Sequence, residues 1–308
     1  MVSDASSWRA GLATPLPRIS RDELGSVRGS LVTWRYIEVR DRDGPLWRRF
    51  IGLWRRRHLL LRMALRDVRQ RYAGASFGIW WAIINPLVFV SAYTLLFTVI
   101  FRARLTPGSP PTEYALYVVS GLLPWIAFSE VATKATQTVS EHRNLIKYTM
   151  FPAELLPLTG LFGAMLSQIA GLTLVVVVSA LARGGMLGDF FWIVPALLLE
   201  VVFLAGVAWT LAAVGAVLRD VRELVPIVLT TGMFFTPIFY EAESLPTAVQ
   251  TFISINPLVP LLRVFRAAIV GIAFRPVELG WFALVAITFA LVGFTAFERV
   301  RGELADTL

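Results

Sequence analysis

Five apolar stretches, each close to the length of a bilayer crossing, constrain this chain more than any other feature: Ala82 to Phe101, Tyr114 to about Val131, Leu155 to Leu181, Phe190 to Leu218 and Leu279 to Phe297. A helix needs about 20 such residues to cross the ~30 Å hydrocarbon layer. Lipid offers the backbone no hydrogen-bond partners, so runs of this length fold as helices and the expected class is an all-α integral membrane protein. A sixth run, Val225 to Tyr240, is shorter and carries Pro226, Gly232 and Pro237, which predicts a short or broken span. After it, Ser244 to Ile272 is apolar but interrupted by Pro246, Pro257, Pro260, Arg263 and Arg266. That interruption predicts a re-entrant helical pair between spans five and six, packed on protein rather than lipid.

Charge sets the orientation and the partners. The chain has 308 residues, 56% of them hydrophobic and 16% charged, where a soluble domain carries roughly 25% charged. Sixteen of its 29 Lys and Arg lie before residue 82, ahead of the first span. With six crossings and both termini cytoplasmic, 23 basic residues fall inside, and Arg102, Arg104, Arg183, Arg263, Arg266 and Arg275 fall outside. This satisfies the positive-inside bias and directs the net charge of +8 to membrane lipids rather than to nucleic acid. No cysteine is present and the histidines are only His58 and His142, so no metal site is expected. Residues 1–45 contain no apolar core of signal-peptide length.

Residues 1–45 read as a cytosolic tail, and their one β-like patch, "LVTWRYIEV" (Leu31 to Val39), is an alternative docking strand for a partner. From residue 46 to 77 the pattern becomes helical. Trp47, Phe50, Ile51 and Trp54, then Leu61, Leu65, Val68 and Tyr72, form an apolar stripe with arginines elsewhere. Such a helix suits the headgroup level of an anionic leaflet or a berth against the protein's own spans. Asp67 and Arg71 stand at i and i+4, a spacing that suits a surface pair. The stripe ends in "RYAGASFGIWWAIINPL" (Arg71 to Leu87), where small residues let the chain bend and Trp80 and Trp81 anchor its depth.

The chain lacks a source of energy. Its two lysines, Lys134 and Lys147, follow Thr133 and Ile146, so no Walker A loop exists. Glu200 is the one deep intramembrane carboxyl, too little for a proton-coupled carrier, and Arg263 or Arg266 is its expected partner. Neither an inverted repeat nor a catalytic constellation is visible, so no catalytic residue is expected. A partner that hydrolyses nucleotide fits these absences.

"RDVRQRYAGASFGIWWAIINPL" (Arg66 to Leu87) resembles the segment before the first span in ABC-2 permease subunits that export polysaccharides, among them O-antigen, capsule, teichoic acid and galactan carriers. The features that carry the resemblance are Arg71 and Tyr72, the small polar Ser76, Phe77 with Gly78, Trp81, and Pro86 with Leu87. Phe77 stands where leucine is usual, and Ala73 and Gly74 replace a more polar pair. "LRDVREL" (Leu218 to Leu224), "TPIFY" (Thr236 to Tyr240) and "NPLVPLLRVFR" (Asn256 to Arg266) are similar to further family segments. The likeness covers about residues 58–300 and leaves out 1–45.

The resemblance implies a half-transporter of the bacterial cytoplasmic membrane. Two copies form the pore and two ABC ATPase subunits drive it, holding ATP and Mg in those partners and no cofactor in this chain. It implies an interface helix over 46–77, a transmembrane domain over 78–300 and a cytosolic C-terminus over 301–308. A coupling helix over about 140–152, "SEHRNLIKYTMFP", would have Ser140 as candidate N-cap and present Glu141, His142, Arg143, Asn144 and Lys147 to the ATPase. An ordinary intracellular loop is the alternative there. The substrate so implied is a lipid-linked polysaccharide, admitted near Arg71, Tyr72, Ser76, Gly78 and Trp81. Sugar rings slide along flat aromatic faces, which makes Phe89, Tyr93 and Phe97 of the first span and Phe234, Phe235, Phe239 and Tyr240 of the fifth candidates for a tunnel wall; lipid-facing or core packing is the alternative. Two other functions stay open: an exporter of small amphiphiles, and a membrane glycosyltransferase using Glu241 and Glu243.

Overall fold

The computed structural model describes residues 52, 57–71, 73–105, 108–142, 152–182 and 188–307. The 1–45 tail, Trp47, Phe50, Ile51, Trp54 and Tyr72 lie outside the described residues, as do Arg143, Asn144 and Lys147. Of the two compact units, Met1–Arg57 and His58–Leu308, the second holds the bundle. Among the described residues every regular element is helical.

Helix α1 (Arg57–Arg71) precedes the joint, and α2 (Trp81–Leu95) follows it. The joint bends where the sequence is small. Gly74 has φ +83° and Gly78 φ +51°, the left-handed region that only glycine enters at little cost. The described helix turns Ala64 and Val68 inward, while Leu65 is 54% exposed and Leu61 is exposed beside it. Within the expected stripe Val68 thus packs on the protein, while Leu61 and Leu65 stay exposed, as an interfacial helix leaves them. Trp81 packs against Val68 across the joint, and that contact fixes the rotation of α1. Asp67 reaches Lys134 at 3.5 Å, a partner from a different helix.

Helix α2 contains Pro86 and ends in a wider π-helical turn, Leu96–Ile100, before Arg102 at φ +47° reverses the chain. Helix α3 (Pro111–Glu141) starts with proline at its first turn, where the missing N–H costs nothing, and with Glu113 at the positive end of the helix dipole. It is the bundle's axis: 78% of its apolar window is buried, against 17–44% for the other long helices. It also runs about ten residues past the predicted end. Ser140 consequently lies in its last turn, with its Oγ donating to the Gln137 carbonyl at 2.8 Å.

Around α3 stand α4 (Leu156–Ala182), α5 (Ile193–Val217), α6 (Val221–Phe235), the short pair α7 (Thr247–Ser254) and α8 (Leu258–Val270), and α9 (Pro276–Thr307). Among the described residues five helices are long and apolar enough to cross a membrane, and six if the bent pair counts as one. The pair bends by 97°, which excludes a straight crossing. Helix α6, at 15 residues, rises only about 22 Å. Helix α9 runs unbroken through Arg301 to Thr307, so residues 301–307 continue the last helix rather than form a separate tail.

Helices α5 and α9 form the closest pair. A Cβ on Gly206 would strike the Phe289 carbonyl, and one on Gly293 would strike Gly206 and the Thr210 hydroxyl. Hydrocarbon gives helices no hydrophobic drive to associate, so backbone approach at small residues supplies the contact.

The bundle end bearing α1, the end of α3 and the start of α4 is labelled the inner end, after the orientation expected from charge, and the opposite end, with Arg102, Pro111 and the α7–α8 pair, the outer end.

Candidate functional site

Three features combine along the axis set by α3. The first is a row of aromatic rings. Phe89 and Tyr93 have centroids 4.9 Å apart, Tyr93 and Phe97 6.1 Å, and Phe97 and Phe101 5.8 Å. Spacing of three to four residues on one helix places these side chains on a common face. Phe97 then meets Tyr114 at 5.2 Å and Phe239 at 6.5 Å, and Phe239 meets Phe234 at 6.4 Å. Of the first-span and fifth-span aromatics singled out in the sequence, Phe89, Tyr93, Phe97, Phe239 and Phe234 thus form one contiguous row. Its members differ in exposure. Phe89 is 42% exposed and Phe234 is exposed, whereas Phe97 is 8% exposed and holds the row together from beneath. Phe235 is exposed and Tyr240 half-buried, with the Tyr240 hydroxyl donating to the Phe234 carbonyl at 3.1 Å.

The second feature is a clamp on residues 236–240 at the outer end. Tyr114 donates to the Phe239 carbonyl at 2.7 Å, and Tyr117 donates to the Tyr240 carbonyl at 2.9 Å. Arg266 donates to the carbonyls of Pro237 at 2.5 Å and Ile238 at 3.0 Å, with its guanidinium carbon 3.7 Å over the Tyr117 ring. Asn256 donates to Thr236 at 2.8 Å and accepts from the Leu258 N–H at 2.9 Å, which ties the "NP" turn to the same segment. A guanidinium that is only 5% exposed needs such partners, because an unpaired buried charge is strongly unfavourable. The sequence motifs signalled these segments, but the clamp itself was not legible, since its partners lie up to 125 residues apart.

The third feature is the inner groove next to the joint. It holds about 190 Å³ and is lined mainly by apolar groups, among them Pro86, Phe89 and Leu123, with Asn85, Ser167 and Gln168 as polar points and Glu130 as its one carboxylate. Trp81 is half-buried at its approach, edge-on to Phe77 at 5.9 Å. Ser76 is exposed, and Gly78 is one of the two left-handed glycines of the bend. Arg71 closes α1, and nothing is described of its side chain.

Glu200 is fully buried in α5 and accepts from the Gln168 amide of α4 at 2.7 Å. The expected pairing with Arg263 or Arg266 does not occur. Arg266 is engaged by the clamp, and Arg263 bridges Glu278 and Glu243, each at 2.9 Å. Glu243 is therefore held in an ion pair with Arg263. At the inner end His142 caps α3 through Nδ1 and the Thr138 carbonyl at 3.0 Å, beside Glu141. The sequence reading missed a second inner contact. Arg301 of α9 donates to Glu154 at 2.6 Å, and Trp209 of α5 donates to the Glu154 carbonyl at 2.9 Å, which anchors the start of α4 immediately after the 143–151 stretch.

A model of the family described as ABC-2 type transporter matches residues 58–270. The chain belongs to that family. The match takes in α1, the joint, the whole aromatic row and the clamp. ABC-2 relatives extend further along the chain. It is 28% identical over 260 residues to the O-antigen export system permease protein RfbA of Myxococcus xanthus, covering 83% of this chain and 97% of the relative. A Klebsiella pneumoniae protein of the same name is 24% identical over 253 residues, 81% of this chain and 95% of its own length. The polysialic acid transport protein KpsM of Escherichia coli is 22% identical over 241 residues, 78% and 92% of the two chains. This ABC-2 chain is accordingly a multi-pass helical membrane protein related to permeases of polysaccharide exporters.

Proposed function

We infer that this chain is the permease subunit of an ATP-driven exporter that moves a lipid-linked polysaccharide across the bacterial cytoplasmic membrane. The aromatic row carries the reading. From Phe89 to Phe234 it offers rings and no charges, so a hydroxylated chain finds ring faces for its C–H surfaces and no strong ionic hold along the way. The relatives named for O-antigen and polysialic acid transport support the same substrate class.

In this reading the bundle crosses the membrane six times with both termini cytoplasmic. Helix α6 and its extension through Tyr240 make the fifth crossing, and the α7–α8 pair dips in from outside. The packing along α3 supports it. Gly215, at the end of α5, lies against Thr136 of α3, whereas Tyr240 is held by Tyr117 near the start of that helix. The segment between them therefore follows α3 over about 19 residues, or roughly 28 Å, close to a full hydrocarbon thickness. Two copies of the chain enclose the path, and two ABC ATPase subunits supply ATP hydrolysis from the cytoplasm, engaging the 140–152 segment through Glu141, His142, Arg143, Asn144 and Lys147. The inner groove beside Trp81 receives the lipid-linked end.

The test is genetic and biochemical together. Deletion of the chain should leave polysaccharide of full length in the cytoplasm, and co-expression of the chain with its ATPase should return it to the cell surface. Unaltered surface polysaccharide in the deletion strain would overturn the reading.

A further inference from the structure

A second cavity, of about 310 Å³, opens at the outer end between the first turns of α3, residues 237–243, α8 and the start of α9. That volume stands at the lower end of the roughly 300–1,000 Å³ range of small-molecule sites. Its walls carry three carboxylates, Glu241, Glu243 and Glu278, and three guanidiniums, Arg263, Arg266 and Arg275. Equal numbers of each sign give no preference for an anion or a cation. Much of that charge is already answered within the wall, since Arg263 holds both Glu243 and Glu278.

Two wall atoms are left over. Nε of Arg266, in a residue only 5% exposed, and Oε2 of Glu278 are both buried without a hydrogen-bond partner. Buried polar atoms are seldom left so, because desolvation without a new bond is costly. One of the two is a donor and the other an acceptor, the two functions that sugar hydroxyls can answer. A neutral ring bearing several hydroxyls also suits the remaining wall, to which Phe274 contributes an aromatic side chain and Ala242, Val259 and Ile272 apolar ones.

We propose that this cavity is a binding subsite for a single neutral sugar residue at the outer end of each protomer. The proposal rests on the polysaccharide-export reading and adds a place where the emerging chain is held. Such a hold suits the exit: a sugar bound there resists back-sliding while the transporter resets, and the balanced charge keeps the hold weak enough to release.

The test uses the full permease with its ATPase in lipid nanodiscs and ligand-observed saturation-transfer NMR. The probes are methyl glycosides of glucose, galactose, mannose and N-acetylglucosamine, with glucuronate and glucosamine as charged comparators. At least one neutral glycoside should receive saturation, more strongly than either charged sugar. Ala273→Phe, which fills the cavity from an exposed position on its wall, should weaken binding about tenfold or more. Ile272→Trp fills the same space from a neighbouring exposed position if the first variant does not accumulate. No saturation of any neutral sugar, stronger saturation of a charged one, or equal signals from native and filled cavities would each overturn the proposal. Cellular export scored in parallel separates the two claims: export without sugar binding overturns the subsite alone, and sugar binding without export overturns the functional reading.

Discussion

The Arg266 guanidinium lies over the Tyr117 ring, 3.7 Å from carbon to centroid, and the two side chains bind carbonyls of one five-residue segment. The contact ties α8 to the axial α3 through the loop that ends α6. Replacing Arg266 with Met leaves the Pro237 and Ile238 carbonyls without their charged donor, at a cost of about 2–4 kcal/mol. Arg266→Lys recovers little, because a point ammonium does not reproduce the planar fork over the ring. Thermal unfolding of the purified protein should show a large drop for both variants, and a much smaller one, near 1 kcal/mol, for Tyr117→Phe.

The aromatic row separates into wall and support. Phe97→Ala removes a buried ring that touches Tyr93, Phe101, Tyr114 and Phe239, and should lower stability by about 3–5 kcal/mol. Phe89→Ala removes a ring that is largely outside the core, so its melting temperature should stay near native while polysaccharide export falls. Export and melting measured on the same two variants check this, and equal effects of both on stability would contradict it.

Gly293 and Gly280 lie on one helix in opposite surroundings. A side chain at Gly293 meets the α5 backbone, whereas a Cβ at Gly280 has nothing within 4 Å. Gly293→Val should abolish accumulation of the folded protein, and Gly280→Ala should leave yield and melting unchanged.

Glu200 and Gln168 bond across α4 and α5 without a cation. Glu200→Gln keeps the shape and a hydrogen bond, so its cost should stay within about 1 kcal/mol. Glu200→Lys buries an ammonium among apolar groups and should prevent folding. Charge reversal at Arg263 or Arg266 should not rescue it, and rescue by either would restore the pairing expected from the sequence.

How far the sequence foretold this architecture depended on the range of the interaction concerned. The long helices were legible because the bilayer imposes a length that apolar runs display directly, and the joint was legible because glycine-rich bends have a local cause. The inward face of α1 was not, because Ala64 is a weaker hydrophobic signal than Leu61 or Leu65, and the Trp81–Val68 contact decides the rotation. Ser140 looked like a cap because an N-cap and a last-turn serine share the same residue, and only the continuation of α3 distinguishes them. The partner of Glu200 was misassigned for a different reason. Intramembrane carboxyls suggest arginine, but both candidate arginines were engaged by distant groups, the 237–238 carbonyls and Glu243 with Glu278. Within the site, the aromatic residues could be named but not their junction, because Phe97 and Phe239 meet only in the folded bundle.

The central claim is that this chain forms the path of a polysaccharide exporter. Its most direct test is ATP-dependent transfer of lipid-linked polysaccharide across the membrane of vesicles holding the chain with its ATPase, read by the access of an external glycan-binding protein. The account predicts transfer that requires ATP and falls in Phe89→Ala. No transfer of polysaccharide, with ATP-dependent movement of small amphiphiles instead, would contradict it.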